Sequence, residues 1–178
     1  MPEPLRNVIL VGFMGTGKST VGKLVARTLG FRFVDTDEMI VRKAGKRIPA
    51  IFEEVGEEGF RRIESGVLED LVHEDGLVVS TGGGIVCGPG NIERMHQFGR
   101  VVWLTASEET IWRRVSRNRS RPLLDNENPR ETIHRLLEAR REMYEKASHL
   151  TVGTDDLTAH EVAFGVVESV RLGSDDDI

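Results

Sequence analysis

Between Gly12 and Ser19 the chain reads Gly-Phe-Met-Gly-Thr-Gly-Lys-Ser, a fit to G-x-x-x-x-G-K-[ST]. Glycines at these positions let the backbone curl until several N–H groups point at one anion. Lys18 then has the reach for β- and γ-phosphates, and the Ser19 hydroxyl has the place of a Mg²⁺ ligand. A bare glycine turn between two elements satisfies the same pattern, so the flanks decide. Val8 to Val11 is an apolar, β-branched run that reads as a buried strand. Val21, Leu24, Val25, Thr28 and Leu29 recur at helical spacing. Strand, glycine loop and helix is the setting a phosphate-binding loop requires, and the helix N-terminus adds its own attraction for phosphate.

Two further groups follow strand-like runs. Asp35-Thr36-Asp37 comes directly after the run Phe31 to Val34. Acidic residues there have two uses near a triphosphate: holding Mg²⁺, often through water, and accepting a proton. Different tasks are expected for Asp35 and Asp37. Capping a helix is the competing use of either. Gly82-Gly83-Gly84 follows Leu77 to Ser80 and reads either as a flexible turn or as backbone N–H groups presented to an anion or hydroxyl. The latter run ends in Ser80 rather than an Asp, leaving Asp35 as the carboxylate nearest a metal.

The arginines are the third group. Arg140 lies seven residues after Ile133, four after Leu136 and four before Tyr144, so it falls on the apolar stripe of its helix. An unpaired charge there is expensive. Its partner is either a substrate carboxylate held bidentately or a protein Asp or Glu. Arg61, beside Phe60, is a weaker instance. Arg114, Arg117, Arg119 and Arg121 lead into the polar stretch Asn118 to Pro129. Such a run is either a solvated face or an arginine-bearing lid over a nucleotide.

The elements that must position these residues alternate along the chain. Beyond those named, the pattern predicts helices over Thr36 to Ala44, around Phe60 to Leu71, from Ser107 to about Arg117, around Ile133 to Tyr144 and around Val162 to Val170. Strands are predicted at Val101 to Leu104 and Leu150 to Val152. Such an order in 178 residues implies one α/β domain with a parallel sheet, helices on both faces, and ligands at the carboxyl ends of the strands. The domain is expected over residues 1–172, with a lid about 117–128 and a disordered acidic tail over 173–178. A net charge of −5 supplies no general basic field for nucleic acid. No run of 18 apolar residues exists for a membrane helix, and the first residues lack the apolar core of a signal peptide. Cys87 is the single cysteine, which suits a reducing cytoplasm. The five histidines lack metal-ligand spacing.

Taken together the motifs resemble those of the shikimate kinase family. The matching residues are 12–20, Asp35 to Asp37, Ile51-Phe52 with Gly56-Glu57 and Phe60-Arg61, Gly82 to Gly84, Arg121 to Leu124, and Arg140 with Tyr144. The resemblance runs from about Asn7 to Arg171 and implies a three-layer P-loop fold of the nucleoside monophosphate kinase type, with strand order 2-3-1-4-5. It implies transfer of the γ-phosphoryl of ATP to the 3-hydroxyl of shikimate, with Mg²⁺, in aromatic amino acid biosynthesis. By position, Gly15, Thr16, Gly17, Lys18, Ser19 and Thr20 would bind ATP phosphates, and Ser19 with Asp35 would serve the metal. Asp37 would be the base, Arg61 and Arg140 would clamp the carboxylate, and Gly82, Gly83 and Gly84 would meet a ring hydroxyl. Arg121 would be the lid arginine at the transferred phosphate, and Arg114 would lie against adenine. A cytoplasmic monomer without nucleic-acid or membrane partners is expected. A gluconate-type kinase is the enzymatic alternative, disfavoured by Phe60-Arg61 and the triple glycine. A non-catalytic shikimate or nucleotide sensor is the other, disfavoured by intact Lys18, Ser19, Asp37 and Arg121.

Overall fold

In the computed structural model, residues 5–117 and 122–172 are described. Arg121 and the tail 173–178 lie outside them, as does part of the expected lid. The elements run β1 (Asn7–Val11), α1 (Lys18–Leu29), β2 (Arg32–Asp35), α2 (Thr36–Ala44), α3 (Ile48–Leu71) and β3 (Leu77–Ser80). Then come α4 (Asn91–Phe98), β4 (Arg100–Thr105), α5 (Glu108–Val115), α6 (Pro129–Ala147), β5 (Leu150–Gly153) and α7 (Ala159–Leu172).

All pairings are parallel, in the order β2-β3-β1-β4-β5. This is the expected order. β1 is buried throughout because it sits mid-sheet with both faces covered. Val8 and Leu10 pack with Val21, Val25 and Val166 beneath α1 and α7. Ile9 and Val11 turn to the other face, against Leu68, Met95, Phe98 and Tyr144. The register aligns Leu10 with Ser80 and Ser80 with Asp35, so β1, β2 and β3 deliver their carboxyl ends side by side. No helix among the described residues is long and apolar enough to cross a membrane.

Three elements depart from the expectations. The helix around Phe60 begins far earlier, at Ile48, and bends at Gly56, where φ is 68°. α4 carries only Met95 and Phe98 as buried apolar residues, too few for a stripe legible in sequence. Pro129 does not break the pattern: it opens α6 at the first turn, where a missing N–H is harmless.

Candidate active site

The glycine loop joins β1 to α1 and is held by its own atoms. Gly15 and Gly17 take φ of 79° and 90°, a region that favours glycine, and a side chain on Gly15 would meet Val115 at 2.8 Å. Thr16 Oγ1 donates to the Phe13 carbonyl at 2.8 Å. Lys18 Nζ donates to the carbonyls of Gly12 and Phe13 at 2.7 and 2.9 Å, which holds the ammonium across the mouth of the loop. Gly17 occupies the N-cap of α1 and contributes no side-chain cap, so the first N–H groups of the helix face the loop's interior. Gly15, Gly17, Lys18, Ser19 and Thr20 line one cavity of about 220 Å³, together with Asp35 and Asp37.

Asp35 caps a helix, the competing use foreseen for it, and also meets Ser19. Its Oδ1 accepts from the N–H groups of Asp37 and Glu38 at 2.9 and 3.2 Å and caps α2. Its Oδ2 accepts from Ser19 Oγ at 2.6 Å, and Ser19 Oγ lies 3.2 Å from Ser80 Oγ. Different tasks were expected for Asp35 and Asp37, although strand alternation alone puts residues two apart on one face. The cause is different: the strand ends at Asp35, and Asp37 stands on the first turn of α2, rotated by the helix. Asp37 lines the phosphate-loop cavity and also a second cavity of about 90 Å³, which Asp35 does not reach.

Arg61, Glu64, Arg140, Phe52, Phe60 and the triple glycine build that second cavity, with Pro122 and Leu123 at its edge. The glycines are set by close approach rather than by unusual φ. A side chain on Gly82 would lie 2.5 Å from Glu64 Oε1 and 3.0 Å from Asp37 Oδ1, one on Gly83 would lie 3.2 Å from the Met14 nitrogen, and one on Gly84 would run into the Arg61 guanidinium. Gly82 N–H donates to Thr36 Oγ1 at 3.1 Å, pinning the loop to α2.

The two arginines differ in their partners. Arg61 is in an ion pair with Glu64 at 2.6 Å and with Glu57 at 3.2 Å. The Glu64 side chain is 1% exposed, and burial pushes its carboxyl above the usual range despite the Arg61 charge. Arg140 is 3% exposed, and among the described residues no carboxylate stands within ion-pair distance of it. It lies over the Phe13 ring, 5.7 Å from the centroid, and one terminal nitrogen has no hydrogen-bond partner. Arg61 Nε and Glu64 Oε1 are also unpartnered. Such buried orphans are rare, and three in one cavity mark a place built for a polar molecule. A charge clamp beside a carboxylate that reaches a phosphate loop suits phosphoryl transfer to an anionic alcohol.

A family model described as Shikimate kinase matches residues 14–171. The chain belongs to the shikimate kinase family. Shikimate kinase of Vibrio parahaemolyticus is 45% identical over 166 residues, covering 93% of this chain and 96% of that protein. That of Thermodesulfovibrio yellowstonii is 43% identical over 164 residues, covering 92% and 94%. A solved structure titled as shikimate kinase from Acinetobacter baumannii in complex with shikimate has a TM-score of 0.92 at 40% identity, covering 96% of each chain. Family membership makes the chain an ATP-dependent phosphotransferase. A gluconokinase from Sinorhizobium meliloti, at 16% identity and a TM-score of 0.64, shares the fold and nothing more specific.

Within this shikimate kinase fold, most residues named from the sequence meet at one end of the sheet. Arg114 does so from the far side: it donates to the Gly15 carbonyl at 3.0 Å and to Thr154 Oγ1 at 3.1 Å, tying the phosphate loop to the chain after β5. Sequence reading missed Glu64 as a site residue. Its spacing of three from Arg61 was a signal, but charge at that spacing is usually a solvated helix face. It also missed the role of Tyr144, whose hydroxyl donates to the Gly83 carbonyl across the fold.

Proposed function

We propose that the chain transfers the γ-phosphoryl of ATP to the 3-hydroxyl of shikimate, giving shikimate 3-phosphate and ADP. The carrying observation is that Asp37 lines both cavities, which supports its place between donor and acceptor. Asp37 takes the hydroxyl proton, and the alcohol oxygen bonds to the γ-phosphorus as the bond to the β–γ bridging oxygen breaks. Lys18 and the loop N–H groups of Gly15, Thr16, Gly17, Ser19 and Thr20 stabilise the charge that develops on the phosphates. Arg61 and Arg140 hold the shikimate carboxylate at the opposite end of the acceptor, and the Gly82 to Gly84 backbone faces a ring hydroxyl. Arg114 lies beside the adenine, and Arg121, within a lid over 117–128, covers the phosphoryl.

Ser19, Asp35 and Ser80 form a small all-oxygen set with one carboxylate, which fits Mg²⁺ taking its other ligands from phosphate and water. Ser19 and Asp35 would hold it, and when bound it neutralises charge on the bridging phosphates. The chain is taken to act as a monomer. The single Cys87 suits the cytoplasm. The test is ADP release across shikimate, quinate and gluconate. Turnover confined to shikimate is expected; turnover of gluconate without shikimate would overturn the reading.

A further inference from the structure

Tyr144 is fully buried and stands one helical turn beyond Arg140 on α6. Its ring stacks on Trp103, with centroids 5.5 Å apart and planes 19° from parallel. Packing alone would account for the ring. It does not account for the hydroxyl, which would be expensive to bury without partners. The hydroxyl donates to the Gly83 carbonyl, 61 residues away in the chain. The Arg140 charge, one turn back, also acts on the phenol. A phenol has one O–H to donate, and here it is committed to Gly83.

Both of those groups belong to the acceptor site. Gly83 lines the two cavities at their junction and leaves only 3.2 Å between an added side chain and the Met14 nitrogen. The triple-glycine loop is therefore held between the phosphate loop on one side and Tyr144 on the other. Arg140 keeps one terminal nitrogen unpartnered within the acceptor cavity.

We propose that Tyr144 is a positioning residue for the acceptor, its hydroxyl fixing the Gly83 peptide where the two cavities meet. The proposal rests on the assignment of Arg140 and the glycine loop to shikimate made above. The substrate is held tightly because the glycine loop is locked by a bond from a distant part of the chain before it arrives, which lowers the ordering cost of binding.

The test is Tyr144→Phe, which keeps the ring and its stack and removes only the oxygen. Shikimate affinity should fall about tenfold, the size of one lost hydrogen bond. ATP affinity should stay within about twofold, since the phosphate loop keeps its own bonds; this difference is well under the tenfold that 1.4 kcal/mol represents. The loss should appear in the KM for shikimate more than in kcat. Tyr144→Leu serves as the packing control, expected to lower the melting temperature and weaken both ligands together. If wild type does not bind shikimate, the functional reading fails and takes the positioning role with it. If wild type binds shikimate and Tyr144→Phe binds it equally well, the positioning role alone fails. It fails too if Tyr144→Phe does not fold, or if it matches Tyr144→Leu.

Discussion

Arg61 is in contact with Glu64, whereas Arg140 acts on that buried carboxylate only from beyond ion-pair distance, and replacing each by Met should separate binding from stability. Met keeps most of the aliphatic stem and removes the charge. At Arg140 the folded protein gives up a cation–π contact over Phe13, worth roughly 0.5–2 kcal/mol. It also sheds a buried donor without a partner, whose burden is roughly 1–3 kcal/mol. The two nearly cancel, so the melting temperature without ligand should move by no more than a few degrees, at roughly 2–4 °C per kcal/mol for a chain of this size. Shikimate binding should instead lose roughly 2–5 kcal/mol, the range for one side of a buried hydrogen-bonded charge pair. At Arg61 the order reverses. Its removal leaves Glu64, 1% exposed, without its cation, at a cost of roughly 3–5 kcal/mol before the carboxyl takes up a proton. A fall of roughly 6–20 °C in the unliganded melting temperature follows from the same scaling. Thermal unfolding followed by Trp103 and Trp112 fluorescence, with calorimetric titration of shikimate, reads both quantities. If Arg140→Met melted as far below wild type as Arg61→Met while binding shikimate normally, the argument from unpaired charge would be wrong.

Four other outcomes follow from the geometry. Lys18→Ala should lower kcat by roughly 10²–10³ while circular dichroism stays unchanged, as expected for loss of one group stabilising phosphoryl charge; retention of more than half the rate would remove the phosphate-loop assignment. Asp37→Asn should lower kcat by roughly 10²–10⁴ with little change in shikimate affinity, since the amide still hydrogen-bonds but takes no proton; Asp35→Asn, by contrast, should raise the Mg²⁺ requirement, and the reverse pattern would exchange the two roles. Gly82→Ala should weaken shikimate binding, because its methyl would lie 2.5 Å from Glu64 Oε1 and 3.0 Å from Asp37 Oδ1; unchanged KM would show that the loop has slack. Tyr144 is the only tyrosine, so ultraviolet titration reports it alone. Burial pushes its phenol from 10.0 up to about 12, so no ionisation should be seen near pH 10 in the folded protein. The sign is that the unfolded phenol loses its proton first, so stability should fall as pH rises from about 10 towards 12; an ordinary phenol titration with the fold intact would contradict its burial.

What could be read from sequence were features made by neighbours along the chain. The phosphate loop depends on glycine at Gly12, Gly15 and Gly17 and on Lys18 and Ser19 close behind, all within one turn of backbone. Asp35 and Asp37 follow a strand end, and Arg140 stands out because a charge on an apolar stripe breaks a local period. Alternation of element types likewise implied the parallel sheet. Tertiary structure decided what joins across the fold. Glu64 looks in sequence like one more charge on a helix; its burial arises because α3 turns that face towards Gly82 and Asp37. Gly83 meets Tyr144 over 61 residues, and Arg114 meets Gly15 over 99. Whether an inward arginine faces a protein carboxylate or stands unpaired is settled by which helix packs opposite it, and no local pattern carries that information. Local conformational preference is written residue by residue, whereas pairing of buried charges depends on the packed arrangement of elements distant in sequence.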